Sequence, residues 1–417
     1  MAGFHEPQEE SPRATLLVVN RGSSSLKFAL YAFLVGEAAE LLVRGKVDRI
    51  GQPGTWLELS DLERGEQRHR SVVADGHGEA ARRTLDWLED RIGIRSLSGI
   101  GHRVVHGGPR FWRPQRVTPE LLDELRQISP FDPEHLPMEI HLIELFHACC
   151  PEVPQVACFD TGFHHDMPRV AKLLPIPRRF DRMGVQRYGF HGLSYAYLME
   201  ELAREAGTEA AEGRVILAHF GAGASLAAVH RGRSIDTSMG FTPTAGIPMS
   251  TRSGDLDPGL AWFLARTEQF TPEGFHDMVN RHSGLLGVSE LSGDVRDLLA
   301  RESEDERAAE ALALFCYQAK KWIGGLAVAL GGLDTLIFSG GIGENSSPIR
   351  ARICDGLGLL GIELEETSNK ANAPVISAAS SRVTVRVIRT DEEIMIARET
   401  NRVLAEDRAI ASTLESP

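Results

Sequence analysis

Residues 15–28 read TLLVVNRGSSSLKF, and residues 214–225 read RVILAHFGAGAS. Each is an apolar run that ends in a polar side chain, breaks on glycine and small residues, and resumes as a second apolar run. That pattern is strand, tight turn, strand. Asn20 and His219 hold corresponding places in the two copies. The repetition predicts a duplicated α/β domain with a ligand cleft between the halves. Outward from the first hairpin, LLVRGKV and TWLELS continue as strands, and residues 77–92 carry Ala81, Leu85 and Leu88 at helical spacing. A strand follows in GIGHRVVHGG, then a Pro-rich loop, helices over 119–127 and 138–148, and a buried strand in QVACFDTGF. Outward from the second hairpin, helices are predicted over 259–266 and 305–330. The run TLIFSGGIGENSSPIRARI then reads as strand, glycine loop and helix, with Ser347 as cap. VTVRVIRT reads as the last strand. The closing helix is expected to open on a Thr390/Glu393 capping box.

The chain's 417 residues set limits. At about 150 residues per domain the length predicts two or three domains. A net charge of −13 argues against nucleic-acid or anionic-membrane partners, whose phosphates would be repelled. Five cysteines without a CxxC pair point to a reducing compartment, hence the cytoplasm. Residues 1–13, MAGFHEPQEESPR, lack the apolar core of a secretory signal and are expected to be a disordered leader. The apolar stretch 322–333 is too short to span a bilayer. Glycine, at 41 residues, clusters at the ends of apolar runs, where backbone must approach something closely.

Three glycine turns carry that hint furthest. Asn20–Lys27 offers backbone N–H groups, hydroxyls and the Lys27 charge to a polyphosphate or its Mg²⁺. His219–Ser225 and Ser339–Asn345 admit the same reading, the latter at a strand-to-helix junction. None matches the dinucleotide fingerprint. His102 and His106 lie four apart, but no carboxylate or third ligand accompanies them, which speaks against a metal site. His191 stands between glycines before a helix expected to be capped near Ser194. The glycine-interrupted polar stretch from Asp236 to Asp257 is too long for a mere connector.

NRGSSSLKF (20–28), HRVVHGG (102–108), FDTGFHHDMP (159–168), YGFHGLS (188–194), DTSMGFTP (236–243), TRSGDLDP (251–258), GGIGEN (340–345) and TDEEIMIARET (390–400) together resemble the ordered motif set of the acetate kinase family. The resemblance implies an α/β fold of duplicated ribonuclease-H-like (actin-like ATPase) domains with a nucleotide cleft. One domain would comprise 14–160 plus 393–410, the other 161–392. It also implies reversible phosphoryl transfer from ATP to acetate, giving acetyl phosphate and ADP, by a homodimer. Carried over by motif, Asn20 and Glu392 resemble the Mg²⁺-associated pair (Mn²⁺ being an alternative ion), and Lys27 a nucleotide-phosphate contact. Arg103 is similar to the arginine that binds the substrate carboxylate, and Asp160 to the essential aspartate. His191 and Arg252 resemble the transition-state stabilisers. The nucleotide loops correspond to His219, Phe220, Gly221, Ala222 and Gly223, to Asp294, Val295 and Arg296, and to Gly341, Ile342, Gly343, Glu344 and Asn345. Val105, Phe131, Phe190 and Pro243 match the lining of the acyl pocket. A carboxylate nucleophile is ionised at neutral pH, with a pKa near about 4, so Asp160 is read as positioning Mg²⁺ waters or substrate.

Two stretches depart from the family pattern. Where it has Ala-Pro-Leu-His-Asn-Pro, this chain has SPFDPEHLP over 129–137. One alignment puts Asp132 at the histidine and Phe131 at the leucine. The other retains His135 and puts Glu134 at the leucine; it is favoured because a carboxylate would repel the developing phosphoryl charge. Either way the acyl pocket is altered, by a ring or by a charge. Ala222 replaces an asparagine whose amide could contact phosphates. The competing readings are a kinase for propionate or another short acid, and an impaired nucleotide-binding sensor or partner-binding protein.

Overall fold

A continuous apolar run, Leu16 to Val19, buries both faces of the first strand, which places it inside a sheet. The computed structural model describes residues 14–22, 25–33, 39–50, 54–72 and 74–415, with side chains as far as Ile410. The expected leader 1–13 and Ser23 and Ser24 of the first glycine turn lie outside the described residues. Two compact units divide the chain, 1–160 with 391–417, and 161–390. The return to the first unit comes at Asp391, two residues ahead of the expected 393, so Glu392 belongs to the first unit rather than the second.

In the first unit, β1 (Ala14–Arg21), β2 (Ser25–Phe33), β3 (Glu40–Asp48), β4 (Trp56–Asp61) and β5 (Glu66–Ser71) form an antiparallel meander. Helix α1 (His77–Ile92) follows, then β6 (Gly99–Val104), the short β7 (Gln115–Arg116), α2 (Pro119–Ile128), α3 (Leu136–Cys149) and β8 (Gln155–Phe159). The sheet order is β5-β4-β3-β2-β1-β6-β8-β7, with β1, β6 and β8 parallel. Leu17 and Val19 of β1 join Phe28, Leu85 and Leu88 of α1 and Phe146 of α3 in one buried cluster. Thr118 caps α2 by accepting from the Leu121 N–H, with Pro119 opening the helix.

In the second unit, α4 (Gly192–Ala206) precedes β9 (Arg214–Phe220), β10 (Ala224–His230) and β11 (Arg233–Thr237). Next come α5 (Gly259–Thr267), α6 (Val295–Arg301), α7 (Glu306–Leu330), β12 (Thr335–Ser339), α8 (Gly340–Asn345), α9 (Ser347–Cys354) and β13 (Thr384–Val387). Its sheet order is β11-β10-β9-β12-β13, again antiparallel on one side of the first strand and parallel on the other. The β3-β2-β1-β6-β8 core is thus repeated strand for strand, and the duplicated α/β plan stands. The final helix, α10 (Glu392–Glu415), packs on β1, β6 and β8. It approaches β6 so closely that a Cβ on Gly101 would lie 2.2 Å from Thr400 Oγ1, which only glycine avoids.

Four local expectations are corrected. The glycine "loop" GGIGEN is the helix α8, entered through Gly340 at φ 74°. Ser346, not Ser347, precedes α9, and no side chain caps that helix. The helix after His191 starts at Gly192, so Ser194 lies inside its first turn and is free for other bonds. The Thr390/Glu393 capping box does not form: Asp391 Oδ1 accepts the Ile394 N–H at 3.0 Å, leaving Glu393 to bond elsewhere.

Candidate active site

In the first unit the C-terminal ends of β1, β6 and β8 gather charge. Asn20 ends the apolar part of β1 and donates from Nδ2 to Glu392 Oε2 and Glu393 Oε1, each at 3.0 Å. Lys27 is Asn20's register partner on β2 and lies 3.6 Å from Glu393. The Glu393 field, only partly opposed by burial, raises the ammonium's pKa. Arg103, on β6, donates from Nη2 to Asp160 Oδ2 at 2.5 Å and from Nη1 to the Arg21 carbonyl at 3.2 Å; its Nε stands 3.9 Å from Glu392. Burial works against the Arg103 charge, but Asp160 and then Glu392 outweigh it and hold the guanidinium above its ordinary pKa. Asp160, at the end of β8, is fully buried and fastened by its N–H to the Val104 carbonyl. A short, charge-assisted pair of this kind fixes the guanidinium plane.

The residues expected to line an acyl pocket in this unit follow Arg103 along the chain. Val105 is buried, and its N–H donates to Glu139 Oε2 at 3.0 Å. Phe131 packs edge-on to His106, ring centroids 5.7 Å apart. Asp132 and His135, the two alternatives for the family's histidine, are hydrogen-bonded to each other at 2.8 Å. They act as one pair.

The second unit builds its site from backbone, imidazoles, hydroxyls and the arginine Arg252. His191 adopts φ 60° at the start of α4, which turns its imidazole back so that Nδ1 meets Ser225 Oγ at 2.8 Å. Its ring stacks on His219 at 4.3 Å. His219 Nδ1 bonds Ser194 Oγ at 2.8 Å, and Ser194 in turn bonds Thr390 Oγ1 at 2.7 Å. Arg252 donates from Nη1 to the Pro243 carbonyl at 2.9 Å. A Cβ built on Gly223 would meet His191 Nε2 at 3.3 Å and Arg252 Nη2 at 3.7 Å, so the bare glycine lies against both donors. The Gly221 N–H bonds Gly223 O, Ala222 O accepts from the Ser250 N–H, and the Gly341 Cα faces open space.

Several expected contacts are restricted. Phe220, Val295 and Phe190 are buried side chains, so the first two offer a ligand only backbone, and the Phe190 carbonyl already bonds His164 Nε2. Asp294 caps α6 and pairs with Arg296, tying the two side chains to each other. Glu344 folds back to accept the Gly340 and Thr390 N–H groups, and Asn345 bonds the Gly341 carbonyl. The helix-start amide that an anion could have used is thus taken from within. Ile342 and Gly343 complete α8.

The acetokinase family model matches residues 15–398. The chain belongs to that family. It is 45% identical over 389 residues to an acetate kinase of Rhodopseudomonas palustris, covering 92% of this chain and 96% of that one. It is 42% identical over 403 residues to a propionate kinase of Citrobacter rodentium, covering 95% and 99%. Among solved structures it is similar to an acetate kinase from Porphyromonas gingivalis (36% identity, TM-score 0.82, covering 94% of this chain and 100% of that one). It is equally similar in extent to a propionate kinase from Francisella tularensis (32% identity, TM-score 0.86, the same shares). For this acetokinase family member, reading by motif passed over three residues: Glu393, Arg21 and Glu139. Arg21 was visible as a charge closing an apolar strand, and Glu139 as a carboxylate within the apolar helix LPMEIHLIELF.

Proposed function

We propose that the chain catalyses reversible, Mg²⁺-dependent phosphoryl transfer from ATP to acetate, giving acetyl phosphate and ADP by direct in-line attack. The observation that carries this is Arg103 fixed by fully buried Asp160 beside Asn20 and Glu392. Arg103 holds the acid's carboxylate, one of whose oxygens attacks the γ-phosphorus while the bond to the β,γ-bridging oxygen breaks and ADP leaves. No general base is needed, because the nucleophile is already an anion. Arg252 Nη2 and His191 Nε2 donate to the equatorial oxygens of the loose transition state, and the bare turn at Gly221–Gly223 admits the phosphates. Ser225 and His219 hold the His191 ring in place for that role.

The donor set suits a hard cation. Glu392, Asp160 and the Asn20 amide offer oxygens, and Mg²⁺ is ordinarily held by one or two carboxylates together with substrate phosphates and water. Among the described residues no trio of His, Cys, Asp or Glu is grouped to hold a metal alone. Bound there, Mg²⁺ (or Mn²⁺) would neutralise phosphate charge. Propionate is the second acid to test, because relatives of similar identity are propionate kinases and one methylene shifts pocket preference by only about 1–3 kcal/mol. A cytoplasmic homodimer completes the reading; no described helix is long and apolar enough to cross a membrane. Light scattering at twice the chain mass is the expected result for the dimer.

The test is a hydroxylamine trap with ATP, Mg²⁺ and a panel of short acids. Acyl hydroxamate is expected with acetate or propionate. Absence of hydroxamate from every acid, with ATP still binding, would overturn the enzyme and leave the nucleotide-binding sensor.

A further inference from the structure

Tyr195 lies one helical turn after His191, at the start of α4, and the reaction above does not use it. It is fully buried in the apolar cluster that joins α4 to β9 and β10, with its ring edge-on to His164 at 5.6 Å and to His191 at 6.4 Å. A buried phenol needs a hydrogen-bond partner. Tyr195 OH meets Ser225 Oγ at 2.5 Å, and the same Oγ meets His191 Nδ1 at 2.8 Å. Ser225 is itself fully buried on β10, where it is the register partner of His219 on β9. Phenol, hydroxyl and imidazole thus stand in one line that ends on Nδ1 of the ring. The other ring nitrogen is turned to the bare glycine turn: a Cβ built on Gly223 would lie 3.3 Å from His191 Nε2.

We propose that Tyr195 is a positioning residue that acts through Ser225 to fix His191 as the neutral tautomer with its proton on Nε2. The proposal rests on the reading of His191 as a donor to the transferring phosphoryl group and says what makes it one. A serine hydroxyl has a single proton, so Ser225 can give it to His191 Nδ1 or to the Tyr195 oxygen, and not to both. The phenol is the more acidic of the two hydroxyls and the stronger donor. Tyr195 therefore donates to Ser225, and the serine proton is committed to His191 Nδ1. A neutral imidazole that accepts at one nitrogen carries its proton on the other. The phosphoryl oxygens are acceptors only, so a bare Nε2 would set lone pair against lone pair, whereas Nε2–H gives them a hydrogen bond. The left-handed backbone of His191, at φ 60°, and the stacking of its ring on His219 at 4.3 Å fix where the ring lies; the Tyr195–Ser225 line fixes which nitrogen is protonated.

The experiment reads the tautomer and the turnover separately on the full chain. Nitrogen-15 spectra of histidine-labelled protein at pH 8, with the His191 signals assigned by their loss in His191→Gln, are expected to show Nε2 protonated and Nδ1 bare. Tyr195→Phe keeps the buried ring and removes only the hydroxyl. In it the His191 signals are expected to move to a mixture of tautomers, while kcat for acetyl phosphate formation falls about tenfold, the scale of one lost hydrogen bond, and KM for ATP and for the acid stays within about twofold. Ser225→Ala breaks the same line at its middle and is expected to give the same mixture, so it serves should the first variant not fold. A wild-type His191 with its proton on Nδ1, or on both nitrogens, overturns the proposal. An unchanged tautomer in Tyr195→Phe overturns the assignment to Tyr195 whatever happens to turnover, because loosened packing alone lowers kcat without choosing a nitrogen. The spectra need no turnover, so absence of acyl phosphate from the wild-type chain would overturn the phosphotransferase reading and leave the tautomer result to be judged on its own.

Discussion

The two units share a strand plan and differ in what they place at the end of their first strand. After β1 the first unit puts Asn20, Arg21 and, across the hairpin, Lys27, within a mesh of Glu392, Glu393, Arg103 and Asp160. After β9 the second unit puts His219, Gly221 and Gly223, surrounded by Ser194, Ser225, His191 and a single arginine, Arg252. One copy gathers paired charges, with Asp160 fully buried against Arg103 and Asn20 bonded to two glutamates. The other is built from bare backbone and hydroxyl-anchored imidazoles, the arrangement on which the proposed nucleotide site rests. Duplication kept the sheet and divided the chemistry.

The sharpest way to break that division is Asp160→Asn. Removing one partner of a buried pair leaves Arg103 largely uncompensated, at a cost of roughly 3–5 kcal/mol in stability. Turnover should fall by about 10³, on the scale of losing a preorganised electrostatic group, while ATP affinity by calorimetry stays within about threefold. Equal losses in turnover and ATP affinity would show that charge in the first unit also holds the nucleotide. Gly341→Ala should act the other way. Its Cβ meets nothing in the protein, so the melting temperature should hold while KM for ATP rises about tenfold and KM for the acid does not. An unchanged KM for ATP would remove that segment from the nucleotide site.

The smallest effect is in acid. Burial pushes His77, His102 and His164 down to about 4 from an ordinary 6.5. Between those values the unfolded chain binds more protons, so each contribution is whole above pH 6.5 and is lost as pH falls towards 4. Each is at most about 3 kcal/mol. Two of the three lie in the first unit, so hydrogen exchange on acidification should loosen that unit first. His102→Gln should flatten the acid limb of the melting curve. An unaltered limb would show that His102 charges freely in the folded chain.

Local signals made much of this fold readable. Ala81, Leu85 and Leu88 carry helical spacing, and α1 runs over 77–92 as that spacing predicts. Failures came where a residue has a tertiary use that its neighbours do not reveal. Thr390 looks like a helix cap but bonds Ser194; three glycines look like a loop, but the Glu344 side chain folds back and closes α8. The Arg103–Asp160 pair was named residue by residue through resemblance, yet no spacing in the sequence joins two side chains 57 residues apart. Arg21 and Glu139 leave a trace in the sequence, as a charge closing an apolar strand and a carboxylate within an apolar helix, but their burial comes only with the fold.

The helix α10 has a consequence for synthesis. Residues 14–160 leave the ribosome with an incomplete first unit: the groove over Gly99 and Gly101 waits for Leu404, Ile396 and Thr400, and Asn20 waits for Glu392 and Glu393. The second unit, continuous from 161 to 390, can complete its own sheet before any of these arrive. The first unit is therefore finished after the second, and a stop ahead of Glu392 removes both carboxylate partners of Asn20.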